Sequence, residues 1–246
     1  MPDILLIHGA AHGAWCWHRV IPALQALGHT ARAIDLPGNG DDRTPAAEVT
    51  LDLYADAILN ATQGPTILLG HSMGGFPITA AAQRAPDRIA ALIYLCAYLP
   101  RAGQTLAEMR KAGPRQPLAG AFRIDDSRTT FTFDPDQSPA LFYHDCPPED
   151  VALAANRLCP QPIRPQETPI PDTSRAETLP RFYIRCTDDR AIPPEYQQTM
   201  SAQLPPQNIL TLPTSHSPFF SAPEALARHI DAISRRLHDM PSVNPA

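Results

Sequence analysis

The 246-residue chain predicts an α/β fold, a mostly parallel sheet of about six strands with helices on both faces. Three observations carry that expectation. Six short β-rich runs alternate with helical patterns along the chain. Most of these runs are apolar throughout instead of alternating with polar residues, as strands covered on both faces must be. The length, with 43% hydrophobic and 18% charged residues, gives material for one large core and too little charge for a disordered chain.

Ile4 to Ile7 is the first strand. Trp17, Val20, Ile21, Leu24 and Leu27 then recur at steps of three and four, the buried stripe of a helix, and Gly28 stands where a left-handed residue would close it. Thr30 to Leu36 completes a βαβ unit. Thr66 to Leu69 follows, then a helical stretch from Phe76 to Arg84 and a fourth strand from Ile89 to Ala97. Phe182 to Cys186 and Ile209 to Leu212 supply the last two strands. Ser221-Ala222-Pro223-Glu224 reads as a capping box for the final helix, whose buried stripe is Leu226, Ile230, Ile233 and Leu237.

The regular alternation stops between the fourth and fifth strands. This divides the chain into a core of 1–100 and 180–238, an insertion of 101–179 and a polar, Pro-rich tail of 239–246 expected to fray. Within the insertion Phe131 and Phe133 alternate with polar residues like a short strand, and Pro148 to Leu158 reads as one helix with Val151, Leu153, Ala154 and Leu158 available for packing. Pro160 to Pro171 is expected to be loop, because proline at that density removes the donors of regular structure. An insertion between strands of such a sheet forms a small cap over their carboxyl ends, where ligands bind.

Composition narrows the function classes. The 20 lysines and arginines against 25 acids give a net charge of −5, with no surplus to neutralise phosphates, so nucleic acid is not an expected partner. Five scattered cysteines, Cys16, Cys96, Cys146, Cys159 and Cys186, form no C-x-x-C pair and signal neither a zinc site nor a disulfide framework. Reduced thiols suit a cytoplasmic protein, and the start Met1-Pro2-Asp3 lacks a basic leader region. No apolar run reaches the roughly 18 residues of a membrane span, so no membrane partner is expected. A homodimer is compatible with the sequence, which neither requires nor excludes it.

The chemistry is carried by Gly70-His71-Ser72-Met73-Gly74, a G-x-S-x-G motif with a strand before it and a helix after it. A serine at the apex of so tight a turn takes strained backbone angles, and side chains two residues to either side would collide. The following helix aims free N–H groups at a reacting carbonyl. Serine is a weak nucleophile at neutral pH and needs a histidine base oriented by a carboxylate. In the chain order of α/β-hydrolases the base follows the last strand, which selects His216 over His29, His144, His229 and His238. His71 is expected to point away from the nucleophile. The acid follows the penultimate strand, where Asp189 is preferred and Asp188 remains the alternative. The oxyanion donors are expected to be the N–H groups of Met73 and of Ala10, in the loop His8-Gly9-Ala10-Ala11-His12-Gly13.

His8 to Trp17, Gly70 to Gly75 and Cys186 to Pro193 resemble the α/β-hydrolase branch containing plant methylesterases, salicylate-binding esterases and hydroxynitrile lyases. Cys146 to Ala154 resembles that branch's cap helix. The resemblance runs from about Ile4 to Arg236 and is thinnest over Gln104 to Ser138 and Pro160 to Ser174. It implies that the second aspartate of Thr187-Asp188-Asp189 is the acid. The lyases carry Thr after the first His and Lys after the catalytic His, where this chain has Gly9 and Ser217, so the resemblance favours ester hydrolysis over cyanide release. Ser217-Pro218-Phe219-Phe220 is similar to bacterial esterases of the branch. The expected activity is a serine carboxylesterase with no cofactor and no metal, acting on a small, hydrophobic or aromatic ester. The rival readings are a carbon–carbon lyase and a ligand-binding protein with negligible turnover. Expected pocket walls are Met73, Tyr98, Leu99, Phe219 and Phe142, with Phe131, Phe133 and Tyr143 as further candidates.

Overall fold

The computed structural model of the protein describes residues 2–239. In chain order the strands are β1 (Asp3–Ile7), β2 (Ala31–Ile34), β3 (Thr66–His71), β4 (Ile89–Leu95), β5 (Phe122–Ile124), β6 (Thr130–Phe133), β7 (Gln161–Pro162), β8 (Arg181–Cys186) and β9 (Ile209–Leu212). The α-helices are α1 (Val20–Ala26), α2 (Leu51–Ala61), α3 (Gly75–Arg84), α4 (Leu106–Ala112), α5 (Ser138–Phe142), α6 (Pro148–Arg157), α7 (Ser174–Glu177), α8 (Pro194–Ser201), α9 (Pro218–Ser221) and α10 (Pro223–Asp239). Among them none is long and apolar enough to cross a membrane.

The main sheet has six parallel strands in the order β2-β1-β3-β4-β8-β9. Its uniformly apolar strands divide between two cores. Leu5, Ile7 and Leu68 pack with Tyr54, Ile58 and Phe76 of α2 and α3, while Ile4, Leu6, Ile67 and Leu69 pack with Val20, Leu24, Leu226 and Ile230 of α1 and α10. Both faces are covered, which is why no strand alternates apolar with polar. Each such side chain withdrawn from water contributes about 1.5–3 kcal/mol. The chain leaves β1 for β2 on one side and returns to β3 on the other, so the loops after β1 and β3 meet at a topological switch point, the crevice where such sheets bind ligands.

α1 closes as its sequence predicts. Gly28 takes φ +87°, and the N–H groups of Gly28 and His29 reach the carbonyls of Gln25 and Leu24. The start of α10 differs from expectation. Ser221 belongs to the short α9 and its hydroxyl donates to the Ser217 carbonyl, so no capping box forms there. Pro223 opens α10 instead, with a fixed φ that suits a first turn needing no N–H. The helix continues through His238 and Asp239, and the fraying expected of the tail beyond lies outside the described residues.

The insertion builds a second, three-stranded antiparallel sheet, β5-β6-β7, whose Phe122 and Phe131 stack edge to face at 4.9 Å. The stretch expected to be wholly loop between Pro160 and Pro171 therefore contains a two-residue strand, tolerated because Pro162 lies on an edge of that sheet. The end of the insertion also departs from a cap. Ile170 and Ala176 join the core beside α2 and α3, and Arg175 donates to the carbonyls of Gln83 and Arg84, because an apolar pair on this segment finds its burial on the flank of α3.

Candidate active site

Ser72 stands between β3 and α3 with φ +54°, a left-handed conformation costing a non-glycine residue about 1–2 kcal/mol. The glycines around it explain how so tight a turn packs. A Cβ on Gly70 would lie 2.4 Å from the carbonyl oxygen of Gly74, one on Gly74 2.9 Å from that of His8, and one on Gly75 2.0 Å from that of Tyr98. The turn is thus backbone on backbone, and the Tyr98 N–H fixes it further by donating to the Ser72 carbonyl at 3.1 Å. Ser72 and Met73 open a short 3-10 turn, a position whose N–H groups have no partner within the helix.

The loop after β1 is held by its own histidines. The Gly9 carbonyl accepts from His8 Nδ1 at 2.8 Å and from the His12 N–H at 3.3 Å. Because a trans peptide points its C=O and N–H in opposite directions, those two bonds aim the Ala10 N–H away from them, and it meets no acceptor among the described residues. The next peptide is pinned at both ends: His12 Nδ1 donates to the Ala10 carbonyl at 2.8 Å, and the Ala11 N–H donates to Gln161 Oε1 at 2.9 Å. Ala11 itself sits at φ +62°. Tyr143, from the cap, donates its hydroxyl to His12 Nε2 at 2.7 Å. Burial lowers the pKa of His12 to about 3 and lowers that of His8 as well, so both rings are neutral at neutral pH, with one nitrogen to give and one to accept.

His216 follows β9, and its Nδ1 lies 2.7 Å from Asp189 Oδ2. Asp189, on the loop after β8, is buried, and the N–H groups of Ala191 and Ile192 and the amide of Gln197 also donate to it. Its oxygens are thus satisfied by protein donors. Asp188 is exposed. The His216 loop is clamped from the cap: Asp145 accepts the Ser215 N–H at 2.7 Å, and the Ser215 hydroxyl donates to the Phe142 carbonyl at 3.1 Å. Burial alone would push the Asp145 carboxyl up, but the bonds from Ser215 outweigh it and hold it below the usual carboxylate range.

Ala10, Ser72, Met73, Tyr98, Phe142 and His216 line one cavity of about 440 Å3, mouth included, at the carboxyl ends of the strands. Phe131 and Phe133 add aromatic wall from the cap. Two expected wall residues lie elsewhere. Leu99 is buried in the α2/α3 core, and Phe219 packs behind the cavity against Trp17, His12 and His71, with ring centroids at 5.3, 5.9 and 5.0 Å. Tyr143 reaches the loop after β1 through His12 instead of forming wall of this cavity.

His71 corrects a further expectation. It follows the face of Ile67 and Leu69, as strand alternation requires, but at this end of β3 that face meets the His216 loop. Its Nε2 donates to the His216 carbonyl at 2.8 Å and its ring borders the cavity. Burial, with His216 and His12 alongside, keeps its pKa well below the usual imidazole range. Nδ1 is therefore unprotonated and has no partner, and a Cβ on Gly9 would lie 2.6 Å from it. His71, Cys96 and His216 approach closely enough to suggest metal ligands, but burial raises the Cys96 thiol pKa well above its ordinary value, so the sulfur keeps its proton and only the lone pairs of His71 Nδ1 and His216 Nε2 remain. His71 Nε2 and the Cys96 thiol both reach the His216 carbonyl, and His216 Nδ1 reaches Asp189. Gln161, Gln197, Asp145 and the two loop histidines are the supporting residues that sequence reasoning missed.

A strained serine turn at a switch point, a buried aspartate–histidine pair and a histidine-braced loop define a hydrolase of α/β architecture, and the chain belongs to the alpha/beta hydrolase family, which it matches over residues 4–229. Within that family it falls in the branch of the plant methylesterases. It is 36% identical to a pyrethroid hydrolase of Sphingobium wenxiniae over 93% of this chain and 86% of that one, and 31% identical to methylesterase 17 of Arabidopsis thaliana over 92% and 88%. The crystal structure of a pyrethroid hydrolase from Sphingobium faniae superposes with a TM-score of 0.87 at 31% identity, covering 97% of this chain and 99% of that one.

Proposed function

We propose that the protein is a serine-dependent carboxylesterase acting through an acyl-enzyme on small to medium hydrophobic or aromatic esters. Esterase function is supported by relatives named as methylesterases and as a pyrethroid hydrolase across nearly the whole chain. The observation that carries the serine mechanism is the 2.7 Å bond between His216 Nδ1 and Asp189 in a cavity that Ser72 also lines.

In this reading the Ser72 hydroxyl attacks the ester carbonyl while His216 Nε2 takes its proton. Asp189 holds the Nδ1–H tautomer and offsets the imidazolium charge. The carbonyl oxygen, now negative, receives the N–H groups of Ala10 and Met73, each donor of this kind being worth about 3–4 kcal/mol of barrier. His216 returns the proton to the departing alcohol, leaving the acyl group on Ser72, and water repeats the cycle to release the acid. Phe131, Phe133 and Phe142 favour apolar groups. A lyase is disfavoured by packing: the Thr of lyases in place of Gly9 would drive its Cβ into the His71 ring.

The test is a panel of esters varied in acyl and alcohol length, run with wild type and Ser72→Ala. We expect the substitution to lower kcat by about 10³-fold or more and to abolish labelling by a fluorophosphonate. Equal activity in both proteins would remove Ser72 from the mechanism.

A further inference from the structure

The wall of the same cavity contains a cation with nothing to bind. Arg110 projects from α4, in the turn after the capping box that Thr105 and Glu108 form, and lines the cavity with Leu106, Phe122 and Tyr98. Its guanidinium carbon lies 4.4 Å above the Phe122 ring. No carboxylate comes within 4.0 Å of it, and its N–H groups meet no acceptor among the described residues. Tyr98 lies beside it, and its hydroxyl, open to the cavity, makes no hydrogen bond among the described residues. Partial burial depresses the Arg110 pKa, and Tyr98 and Glu167 restore only part of it.

A planar guanidinium stacked on an aromatic ring is fixed in direction and needs carboxylate-like oxygens to satisfy its fork. The surroundings add to the field: Lys111 borders the adjoining cleft and Arg128 the cleft on the far side, in a protein of net charge −5. Glu167 shares that far cleft but stays beyond ion-pair distance, and Glu195 is taken by Arg115. An ester bound at Ser72 thus meets apolar wall for part of its length and a positive, hydrogen-bond-donating end beyond it.

From this juxtaposition we infer that Arg110 and Tyr98 form a carboxylate subsite, and that the preferred substrates are half-esters of dicarboxylic acids, in which one carboxyl is esterified and the other is free. The inference rests on the esterase reading and sharpens its substrate class: the esterified end enters between Ser72 and the oxyanion donors, and the free carboxylate docks on Arg110.

The experiment compares methyl half-esters of the succinate-to-sebacate series with neutral methyl esters of matched length, using wild type, Arg110→Met and Arg110→Lys. One charge-assisted contact corresponds to about 10- to 100-fold in kcat/KM. We expect wild type to prefer at least one half-ester over its neutral match by that factor. Arg110→Met should lose the preference while leaving the neutral ester within about threefold, and Arg110→Lys should keep part of it, since a point charge replaces the fork. Hydrolysis of neutral esters with no half-ester preferred overturns the subsite and leaves the esterase reading standing. An equal fall for both ester types in Arg110→Met overturns it as well. If wild type hydrolyses no ester of either kind, the esterase reading fails. Calorimetric binding of the half-esters to Ser72→Ala and to Ser72→Ala with Arg110→Met then decides the subsite, which requires tighter binding with the arginine present.

Discussion

Ser72 and Phe131 border one cavity, but different forces hold them there. Ser72 is fixed by main chain. Its left-handed turn packs glycine against carbonyl on three sides, with contacts from the start of α3 and from the loops that leave β1 and β4. Phe131 stands on a short cap strand and is held by Phe122 and Phe133, with ring centroids 4.9 and 5.4 Å away. Backbone packing has few alternative arrangements, whereas rings of similar volume can exchange places at modest cost. On the proposed reading the reacting atoms are thus built on the region least tolerant of change, and the groups that choose the substrate on the region most tolerant of it.

The largest effect that tests this contrast is Asp189→Asn. An amide cannot stabilise the imidazolium and favours the wrong tautomer, so kcat should fall by about 10⁴-fold with the fold intact. Phe131→Leu, on the cap side, should change kcat/KM by less than about tenfold. Steady-state kinetics on one aryl ester measures both, and losses of equal size would break the contrast. Gly70→Ala comes next. Its Cβ would meet the Gly74 main chain at 2.4 Å, and no flexible side chain is there to yield. We expect about 3 kcal/mol of lost stability by urea unfolding, together with lost activity.

The buried histidines give the active-site region a pH dependence that begins near pH 6.5, above the range in which the cap's carboxylates titrate. In the unfolded chain His8, His12 and His71 titrate near 6.5, and folding lowers all three, His12 to about 3. The unfolded state therefore binds more protons below pH 6.5, and stability is lost as the pH falls from there, at about 1.4 kcal/mol per pH unit for each histidine. Replacing His12 by Phe should shrink the stability difference between pH 7 and pH 5 by about 2 kcal/mol. An unchanged difference would mean that the ring is already charged in the folded protein.

These same residues mark how far the sequence could be read. The six core strands, the Ser72 turn and the position of His216 were legible because each is written locally, in an apolar run, a glycine spacing or a place in chain order. Asp189 was legible as the preferred one of two adjacent aspartates, and its burial and 2.7 Å bond to His216 separate it from the exposed Asp188. The bracing of the site was not legible. Gln161 meets Ala11 across 150 positions and Asp145 meets Ser215 across 70, and no spacing rule reaches so far. Leu99 and Phe219 misled for a related reason: nearness in sequence to a site residue says nothing about which core a side chain enters. The expectation for His71 had its alternation right and lacked only the knowledge of which loop that face would meet.

Gly28→Ala gives the smallest effect and the cleanest control for Gly70. Gly28 lies between α1 and β2 and Gly70 at the end of β3, but a Cβ on Gly28 would meet nothing within 4 Å, so only its φ of +87° resists substitution. The expected cost is the left-handed penalty alone, about 1–2 kcal/mol, seen as a Tm lowered by roughly 2–4 °C per kcal/mol in a chain of this size. The kinetics should not move, since the residue closes α1 on the far side of the first βαβ unit from the cavity. Gly70 has no left-handed angle, so a loss for Gly70→Ala no larger than that for Gly28→Ala would show that the Gly74 main chain yields to the added Cβ, and the steric account of the turn's glycines would have to be given up.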